Sequence, residues 1–239
     1  MPFWDIYSYF YSLSLRNLFP YRGLLKDLND TLDIRKGESI LDAGCGPGLV
    51  IKKILEENKG REISITGVDI SRTMIRHARR KCRNSSNVKL QVADLNKSLE
   101  FPDATFDKVI CSNTLYALED PHSVISEFHR VLKPGGALII ANPKPNAGEN
   151  TVIREHISAL NRLTPFYRKI HQILISLLLI PVNLVVIAIN KVIVEKGRRG
   201  QYHFLTEKDL ERILQEVGFA NIHTRSCYAD QNWLVRAEK

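Results

Sequence analysis

Residues 40–48 read Ile-Leu-Asp-Ala-Gly-Cys-Gly-Pro-Gly, an apolar run that leads into glycines at three alternate positions, Gly44, Gly46 and Gly48. A helical pattern follows directly, because the apolar side chains of residues 50–55 recur on one face. Glycines let the backbone approach a ligand closely, and the first turn of a helix adds unpaired N–H groups. This order of strand, glycine turn and helix predicts a site for a nucleotide-like ligand at the edge of a parallel sheet.

A second apolar run, residues 63–68, ends at Asp69. An acidic residue roughly 20 residues beyond a glycine loop, at the end of the second strand, is placed to accept hydrogen bonds from ribose hydroxyls. The same alternation continues along the chain. We predict strands over 38–43, 63–68, 88–93, 106–111 and 137–141, and helices over 49–58, 72–82 and 122–132. Such alternation is typical of an α/β fold in which helices cover both faces of a parallel sheet.

Two further helices and a hairpin complete the predicted core. Four leucines at helical spacing, within residues 24–32, predict an amphipathic helix before the first strand. Thr206 and Asp209 fit a capping box at the start of a last helix, which Gly218 ends. Residues 222–228 and 232–237 then read as two strands joined by a short polar turn.

Four motifs occur in an order that resembles the successive motifs of class I S-adenosylmethionine (SAM)-dependent methyltransferases. They are residues 41–48, Gly-Val-Asp-Ile-Ser at 67–71, Ala-Asp at 93–94, and Leu-Lys-Pro-Gly-Gly at 132–136. The sequence looks most similar to the branch that contains the ubiquinone and tocopherol C-methyltransferases and many small-molecule enzymes. The resemblance covers roughly residues 22–145 and 201–239, which we take as the SAM-binding core.

The resemblance implies a Rossmann-like, seven-stranded, mostly parallel sheet with an antiparallel C-terminal hairpin. It implies SAM as the cofactor and S-adenosyl-L-homocysteine as its product. The residues that it assigns to the cofactor are Asp42, Gly44, Cys45, Gly46, Gly48, Asp69, Ile70, Asp94, Leu95 and Asn113. Asp94 takes the place of the acidic residue that meets the adenine amino group in the family.

Methyl transfer from a sulfonium needs alignment above all, with a base only for some acceptors. The candidates for such a base are Tyr116, His156 and His203. Tyr116 follows strand four, where residues of this family face the methyl group, although a packed aromatic would look the same. A lone histidine is more often structural. We predict no metal site, because the acidic cluster of catechol-type enzymes is not evident.

The composition gives a net charge of +8, from 34 Lys and Arg against 26 Asp and Glu. An excess of this kind suggests an acidic partner such as nucleic acid, anionic lipid or an anionic substrate. The four cysteines are scattered and suggest neither a zinc site nor a disulfide framework. We therefore expect a reducing, cytoplasmic location. The N-terminus does not read as a signal peptide, because it has no basic region and its apolar residues are mostly aromatic.

Residues 1–21 contain eight of the nineteen aromatic residues of the chain. Several recur at helical spacing. Three interpretations stay open: a helix packed on the domain, a lid over the active site, or an interfacial segment with Trp and Tyr at the level of lipid headgroups.

Residues 146–200 form an insert between strand five and the last helix. Residues 151–200 carry eight Lys or Arg and two Glu, whereas residues 170–190 carry no charged side chain apart from a histidine. One reading is a transmembrane helix, which would place the two flanks of one domain on opposite sides of the bilayer. Another is a packed cap of two helices broken at Pro181. A third is the same cap dipped into one leaflet, with the basic residues of 168–199 at anionic headgroups.

Our leading hypothesis is a SAM-dependent methyltransferase that acts at the membrane surface on a hydrophobic small-molecule or lipid-like substrate, such as a quinone, prenyl lipid or phospholipid. It would be peripheral on the inner membrane face. The alternatives are a methyltransferase of a soluble small molecule or RNA, with the insert as a packed cap, and a non-catalytic SAM-binding module docked on the membrane. Nucleic acid is not favoured, because the basic residues flank an apolar run and do not alternate with exposed aromatics.

Overall fold

The computed structural model describes residues 13–15 and 17–239, with the side chain of Glu149 left aside. Its strands are β1 (Ser39–Ala43), β2 (Ser64–Asp69), β3 (Val88–Val92), β4 (Phe106–Ser112), β5 (Leu132–Pro143), β6 (Ala220–Cys227) and β7 (Asn232–Glu238). They form one seven-stranded sheet in the order β3-β2-β1-β4-β5-β7-β6. The first five strands pair in parallel, and β7 lies antiparallel between β5 and β6. The predicted Rossmann-like sheet with its antiparallel hairpin is confirmed.

Helices cover both faces of this sheet. They are α1 (Phe19–Leu32), α2 (Leu49–Glu57), α3 (Arg72–Lys81), α4 (Pro121–Val131), α5 (Glu149–Asn161), α6 (Phe166–Leu178), α7 (Ile180–Arg198) and α8 (Glu207–Val217), with a 3₁₀ turn at Leu115–Ala117. Leu28, Ile51 and Ile75 bring α1, α2 and α3 into one buried cluster. Phe128 and Leu214 bring α4 and α8 into the other. The two clusters leave the carboxyl ends of the parallel strands free to form a site.

Helix α1 begins earlier than predicted, whereas α8 has the predicted start and end. Helix α1 begins at Phe19, earlier than the leucine spacing indicates, because Pro20 is tolerated in a first helical turn. Helix α8 has the predicted capping box, in which the Thr206 side chain accepts from Asp209 N and Asp209 accepts from Thr206 N. Gly218 ends α8 in the left-handed conformation.

Strand five is longer than predicted. It was expected over 137–141 after a turn at 132–136, but the strand begins at Leu132, which pairs with Phe106. The ladder resumes at Lys108 and Ala137 after a bulge. The Pro and Gly residues of the motif therefore form an irregularity inside the strand and not a separate turn.

The insert contains three helices, α5, α6 and α7, where the sequence predicted a pair broken at Pro181. The break lies at Leu179, and Pro181 is in the first turn of α7, where its missing N–H costs nothing. Helices α6 and α7 are bent by 55° at this break. Among the described residues, no individual helix has both the length and the apolar character to cross a membrane, although α6 and α7 taken together meet that criterion by length and composition.

Most of the predicted N-terminal lid, residues 1–21, lies outside the described residues. The part that is described contacts the insert. Ser14 Oγ donates to Asn183 Oδ1 (2.6 Å), and Gln172 Nε2 donates to the Asn17 carbonyl (3.4 Å). The start of the described chain is thus hydrogen-bonded to α6 and α7.

Candidate active site

A cavity of about 190 Å³ lies over the carboxyl ends of β1 to β4. It is lined by the loops that follow these four strands. Eight of the ten residues predicted to bind the cofactor line it: Gly44, Cys45, Gly46, Asp69, Ile70, Asp94, Leu95 and Asn113. The fold therefore brings together residues that are up to 69 positions apart in the chain.

The glycine loop is held tightly against its neighbours. Gly44 N and Cys45 N both donate to the Val68 carbonyl, at 2.8 and 2.9 Å. Gly44 has a φ of 78°, and a Cβ at this position would lie 2.2 Å from Thr114 Oγ1. At Gly46 a Cβ would meet no atom within 4 Å. The loop consequently packs on Thr114 at Gly44 and leaves open space at Gly46.

Asp69 links the glycine loop to the start of α3. Its Oδ2 accepts from Gly46 N (2.9 Å) and its Oδ1 accepts from Ser71 N (2.8 Å). These two bonds orient the carboxylate toward the glycine loop and the start of α3. This geometry suits the role predicted for Asp69.

Asp42 and Gly48 line neither this cavity nor the larger one described below. Asp42 is 1% exposed, and neither carboxylate oxygen has a hydrogen-bond partner among the described residues. Burial, and secondarily Asp69, raises the pKa of Asp42 to about 7. Gly48 caps α2 with a φ of 75°, and its Cβ would lie 3.1 Å from Ala78 Cβ. Asp42 thus lies beneath the cavity, and Gly48 lets α2 approach α3.

The residues present fit the adenosyl and methionine parts of SAM. The glycine loop offers an open backbone, and Asp69 offers a fixed carboxylate. Asp94, after β3, accepts from Asn96 N at 3.0 Å, so its side chain is also oriented. SAM bound here would supply an electrophilic methyl group on a sulfonium with a good leaving group.

Sequence reasoning missed several residues that line this cavity: Tyr21, Pro47, Leu49, Val50, Met74, Ala93, Asn96, Ser112, Thr114, Ala117 and Leu118. Thr114 and Asn96 follow motif residues directly, so their position at strand ends was a usable signal. The place of Tyr21 could not be predicted in this way, because it depends on how α1 packs.

A second cavity of about 1020 Å³ is enclosed mainly by α5, α6 and α7. Asn113 and Tyr116 line both cavities and so mark their junction. The Tyr116 ring stacks on Phe204, with centroids 5.4 Å apart, and meets Tyr202 edge-on at 5.6 Å. Burial, with a smaller effect of Tyr202, raises the pKa of Tyr116, so the phenol stays protonated at neutral pH.

The two candidate histidines are placed differently. His156 lines the larger cavity, but its Nδ1 accepts from Phe19 N (3.2 Å) and its Nε2 lies 3.1 Å from Ser176 Oγ. Burial, then Arg22, lowers the pKa of His156. His203 lines neither cavity, and its Nε2 lies 3.1 Å from the Glu119 carbonyl. The structure brings only Tyr116 of the three to the junction, and a base role for any of them stays a prediction.

Over the described ranges 13–15 and 17–239, no group of three or more His, Cys, Asp or Glu side chains is arranged to hold a metal ion. The four cysteines are all buried and free.

Comparison with known proteins places this geometry in a family. A family model described as a methyltransferase domain matches residues 34–218. Phosphoethanolamine N-methyltransferase 3 of Arabidopsis thaliana is 33% identical over 122 residues, 49% of this chain and 23% of that protein. Demethylmenaquinone methyltransferase of Staphylococcus aureus is 26% identical over 208 residues, 86% of this chain and 76% of that protein. An uncharacterized 37.1 kDa protein in transposon TN4556 of Streptomyces fradiae is 36% identical over 116 residues, 48% of this chain and 32% of that protein.

Solved structures share the fold. A SAM-dependent methyltransferase from Aquifex aeolicus superposes with a TM-score of 0.59 at 18% identity, covering 94% of this chain and 91% of that one. One from Mesorhizobium loti gives a TM-score of 0.59 at 20% identity and covers 90% and 96%. The chain therefore belongs to the methyltransferase-domain family, and it is a SAM-dependent methyltransferase domain with S-adenosylmethionine as its cofactor.

Proposed function

We propose that this protein transfers the SAM methyl group to a hydrophobic, lipid-like acceptor that it takes up at a membrane surface. The observation that carries the proposal is the apolar cavity of about 1020 Å³ that meets the cofactor cavity at Asn113 and Tyr116. Sites for small molecules usually measure about 300–1,000 Å³. The cavity is thus large enough for an acceptor with an extended apolar part.

The shape of the cavity favours an elongated acceptor. Lining residues occur along the entire length of α7, from Ile180 to Arg198, which corresponds to roughly 27 Å at 1.5 Å per residue. Leu177 and Leu184 line the cavity and are also exposed. The cavity therefore opens at the surface of α6 and α7, where a lipid-soluble molecule could enter.

The junction is where the acceptor must react. Methyl transfer requires the nucleophile about 3–3.5 Å from the methyl carbon and in line with it. Tyr116 at this point is held by Phe204 and Tyr202, and Ile193 of α7 packs against it. The insert thus contributes the wall of the acceptor cavity and, through Ile193, part of the packing around Tyr116.

The outer surface of the insert supports a membrane location. Phe166 and Leu178 are 72% and 78% exposed. Further exposed apolar side chains that do not line the cavity are Tyr167, Ile170, Leu174, Val185 and Val192. Exposed cations accompany them at Arg168, Lys191, Arg198 and Arg199. Apolar side chains beside cations are typical of a surface that rests on anionic lipid.

The name of one relative supports a lipid-soluble acceptor, since that enzyme is named for demethylmenaquinone. Another relative is named for phosphoethanolamine, which is charged and polar and does not support an apolar acceptor. The chain spans only 32% of the Streptomyces fradiae protein and 23% of the Arabidopsis thaliana enzyme, so the acceptor stays a proposal.

The acceptor is tested by labelling and by filling the cavity. The protein is incubated with labelled SAM and total lipid, total RNA or soluble metabolites, and the label is expected in lipid. Ile187→Trp, which fills the cavity, should lower lipid labelling at least tenfold and leave SAM affinity unchanged by calorimetry. Ile187→Leu, which keeps the volume of the side chain at the same position, should match the wild type. Label in RNA or soluble metabolites would overturn the proposed acceptor.

The membrane surface is tested by flotation with vesicles of phosphatidylcholine and phosphatidylglycerol. Leu174→Ser combined with Leu178→Ser should lower the floated fraction several-fold. Val92→Ser serves as the control, because Val92 is exposed on β3 outside the insert. Equal flotation of the insert variant and the wild type would rule out this surface.

A further inference from the structure

Two asparagines meet at the junction of the cavities. Asn113 follows β4, Asn232 begins β7, and the Asn232 Nδ2 donates to Asn113 Oδ1 at 2.7 Å. Asn232 is 1% exposed, and both side chains line the larger cavity. A buried amide pair of this kind is retained only where its polar atoms find partners.

The backbone holds both asparagines in place. Asn113 is in the left-handed region with a φ of 52°, and its N–H donates to the Ala141 carbonyl at 2.8 Å. Asn232 pairs with Pro143 of β5 and with Cys227 of β6. The amides are therefore mounted on strand ends and have little freedom to turn.

The hydrogen bond between the two amides leaves one group unused on each. Among the described residues, nothing accepts from Asn113 Nδ2 and nothing donates to Asn232 Oδ1. Neither atom is among the fully buried polar atoms that lack a partner, so each keeps some accessible surface. The pair thus presents a donor and an acceptor side by side next to Tyr116.

We infer that Asn113 and Asn232 form a subsite that positions the acceptor by a neutral group carrying both a donor and an acceptor, such as a phenol or enol hydroxyl. The inference rests on the proposed function and names the polar end of the same acceptor. The hydroxyl would donate to Asn232 Oδ1 and accept from Asn113 Nδ2.

The chemistry of the junction favours a neutral group. Both amides are uncharged, and the Tyr116 phenol beside them is kept protonated by burial. The charged residues that line the larger cavity are Lys191, Glu195 and Arg198, and all three are exposed on α7. A cationic acceptor group held between buried amides would lack an opposite charge, which is costly. An anionic oxygen could not donate to Asn232 Oδ1. Asn232 is thus a positioning residue that acts by orienting Asn113 and the acceptor hydroxyl.

The test measures discrimination between a hydroxyl and its methyl ether. Binding of 1-naphthol and of 1-methoxynaphthalene is measured by calorimetry with S-adenosylhomocysteine present, so that no reaction occurs. The wild type should bind 1-naphthol about tenfold more tightly, because the ether cannot donate to Asn232 Oδ1. Asn232→Leu should reduce this ratio to near one. Asn183→Leu, at another amide that lines the same cavity, should keep it.

Asn232→Ala provides a second variant if Asn232→Leu does not fold, because it removes the amide without adding volume. It removes both the Oδ1 acceptor and the Nδ2 donor that orients Asn113, so the preference for 1-naphthol should fall several-fold. The subsite would be overturned if a folded Asn232 variant kept the preference for 1-naphthol, or if the wild type bound 1-naphthol and 1-methoxynaphthalene equally. Either result would leave the proposed function standing. If neither naphthalene compound bound, the result would instead contradict the proposed hydrophobic acceptor.

Discussion

At the scale of single residues, close backbone approach shapes the cofactor cavity. Gly44 allows the loop after β1 to touch Thr114 after β4, while Gly46 leaves space and donates to Asp69. Both glycines have positive φ, but only Gly44 is also restricted by a neighbour. The two positions are therefore not equivalent, although the sequence motif presents them alike.

We expect Gly44→Ala to weaken SAM binding at least tenfold. Its Cβ would lie 2.2 Å from Thr114 Oγ1 and 2.7 Å from Thr114 Cβ, so the loop or β4 must move. Gly37→Ala is the matched control, with a φ of 83° and no atom within 4 Å of its Cβ. It shares the backbone strain of about 1–2 kcal/mol without the clash. Calorimetric SAM titrations compare the two, and wild-type affinity in Gly44→Ala would contradict the geometry.

At the scale of elements, α7 connects the insert to the junction. Its buried side chains are Val186 and Ile193, and Ile193 reaches the cluster around Tyr116. Near its end, Gly197 allows the Phe204 ring to approach, since a Cβ at Gly197 would lie 2.4 Å from Phe204 Cε2. Phe204 in turn stacks on Tyr116. A glycine inside a helix is thus explained by aromatic packing.

We expect Gly197→Ala to lower the free energy of unfolding by about 1–3 kcal/mol, because displacement of Phe204 outweighs the gain in helix propensity. Gly23→Ala tests the same change in helix α1, where a Cβ would meet no atom within 4 Å. It should raise the free energy of unfolding by about 0.5–1 kcal/mol. Urea denaturation measures both. An increase for both variants would show that Phe204 does not restrict Gly197.

At the scale of the whole molecule, the insert is held to the core by hydrogen bonds from residues near the start of the described chain. Phe19 N donates to His156 Nδ1, so the imidazole is neutral with its proton on Nε2, and Nε2 lies against Ser176 Oγ. Ser176 Oγ donates onward to the Gln172 carbonyl at 2.9 Å. One histidine therefore joins α1 to α5 and α6, and the latter two helices line the larger cavity.

We expect docking of the insert to weaken as the pH falls from 7.5 to 5.0. Burial and Arg22 lower the pKa of His156, so the folded state favours the neutral ring. The stabilisation is present above the ordinary pKa of histidine and is lost as the pH falls through the lowered value. Hydrogen exchange of residues 149–198 should increase at pH 5.0 relative to the core strands.

His156→Asn keeps an acceptor near the position of Nδ1 and does not titrate, so exchange of its insert should depend much less on pH. His203→Asn is the control, because His203 lines neither cavity and should leave the pH dependence of the wild type. Equal protection of the wild-type insert at the two pH values would refute this role of His156.

The cofactor was implied by the resemblance of the sequence motifs to a known family. The sequence alone determined the alternation of strands and helices in the core, the glycine loop, and the places of Asp69 and Asp94 after their strands. These features are local, because glycine conformation, hydrophobic period and helix capping act within one strand–turn–helix unit. The sequence also predicted that the insert is helical. It placed the break at Pro181, two residues too late, because proline is tolerated in the first turn of a helix.

Only the tertiary structure decided what surrounds the acceptor. Tyr21 reached the cofactor cavity through the packing of α1, and Asn113 met Asn232 across 119 positions of the chain. The tertiary structure also separated the candidate bases, since Tyr116 lies at the junction while His203 faces a carbonyl outside both cavities. No periodicity encodes such meetings, because they arise when strands distant in sequence end at the same edge of one sheet and an insert closes over them.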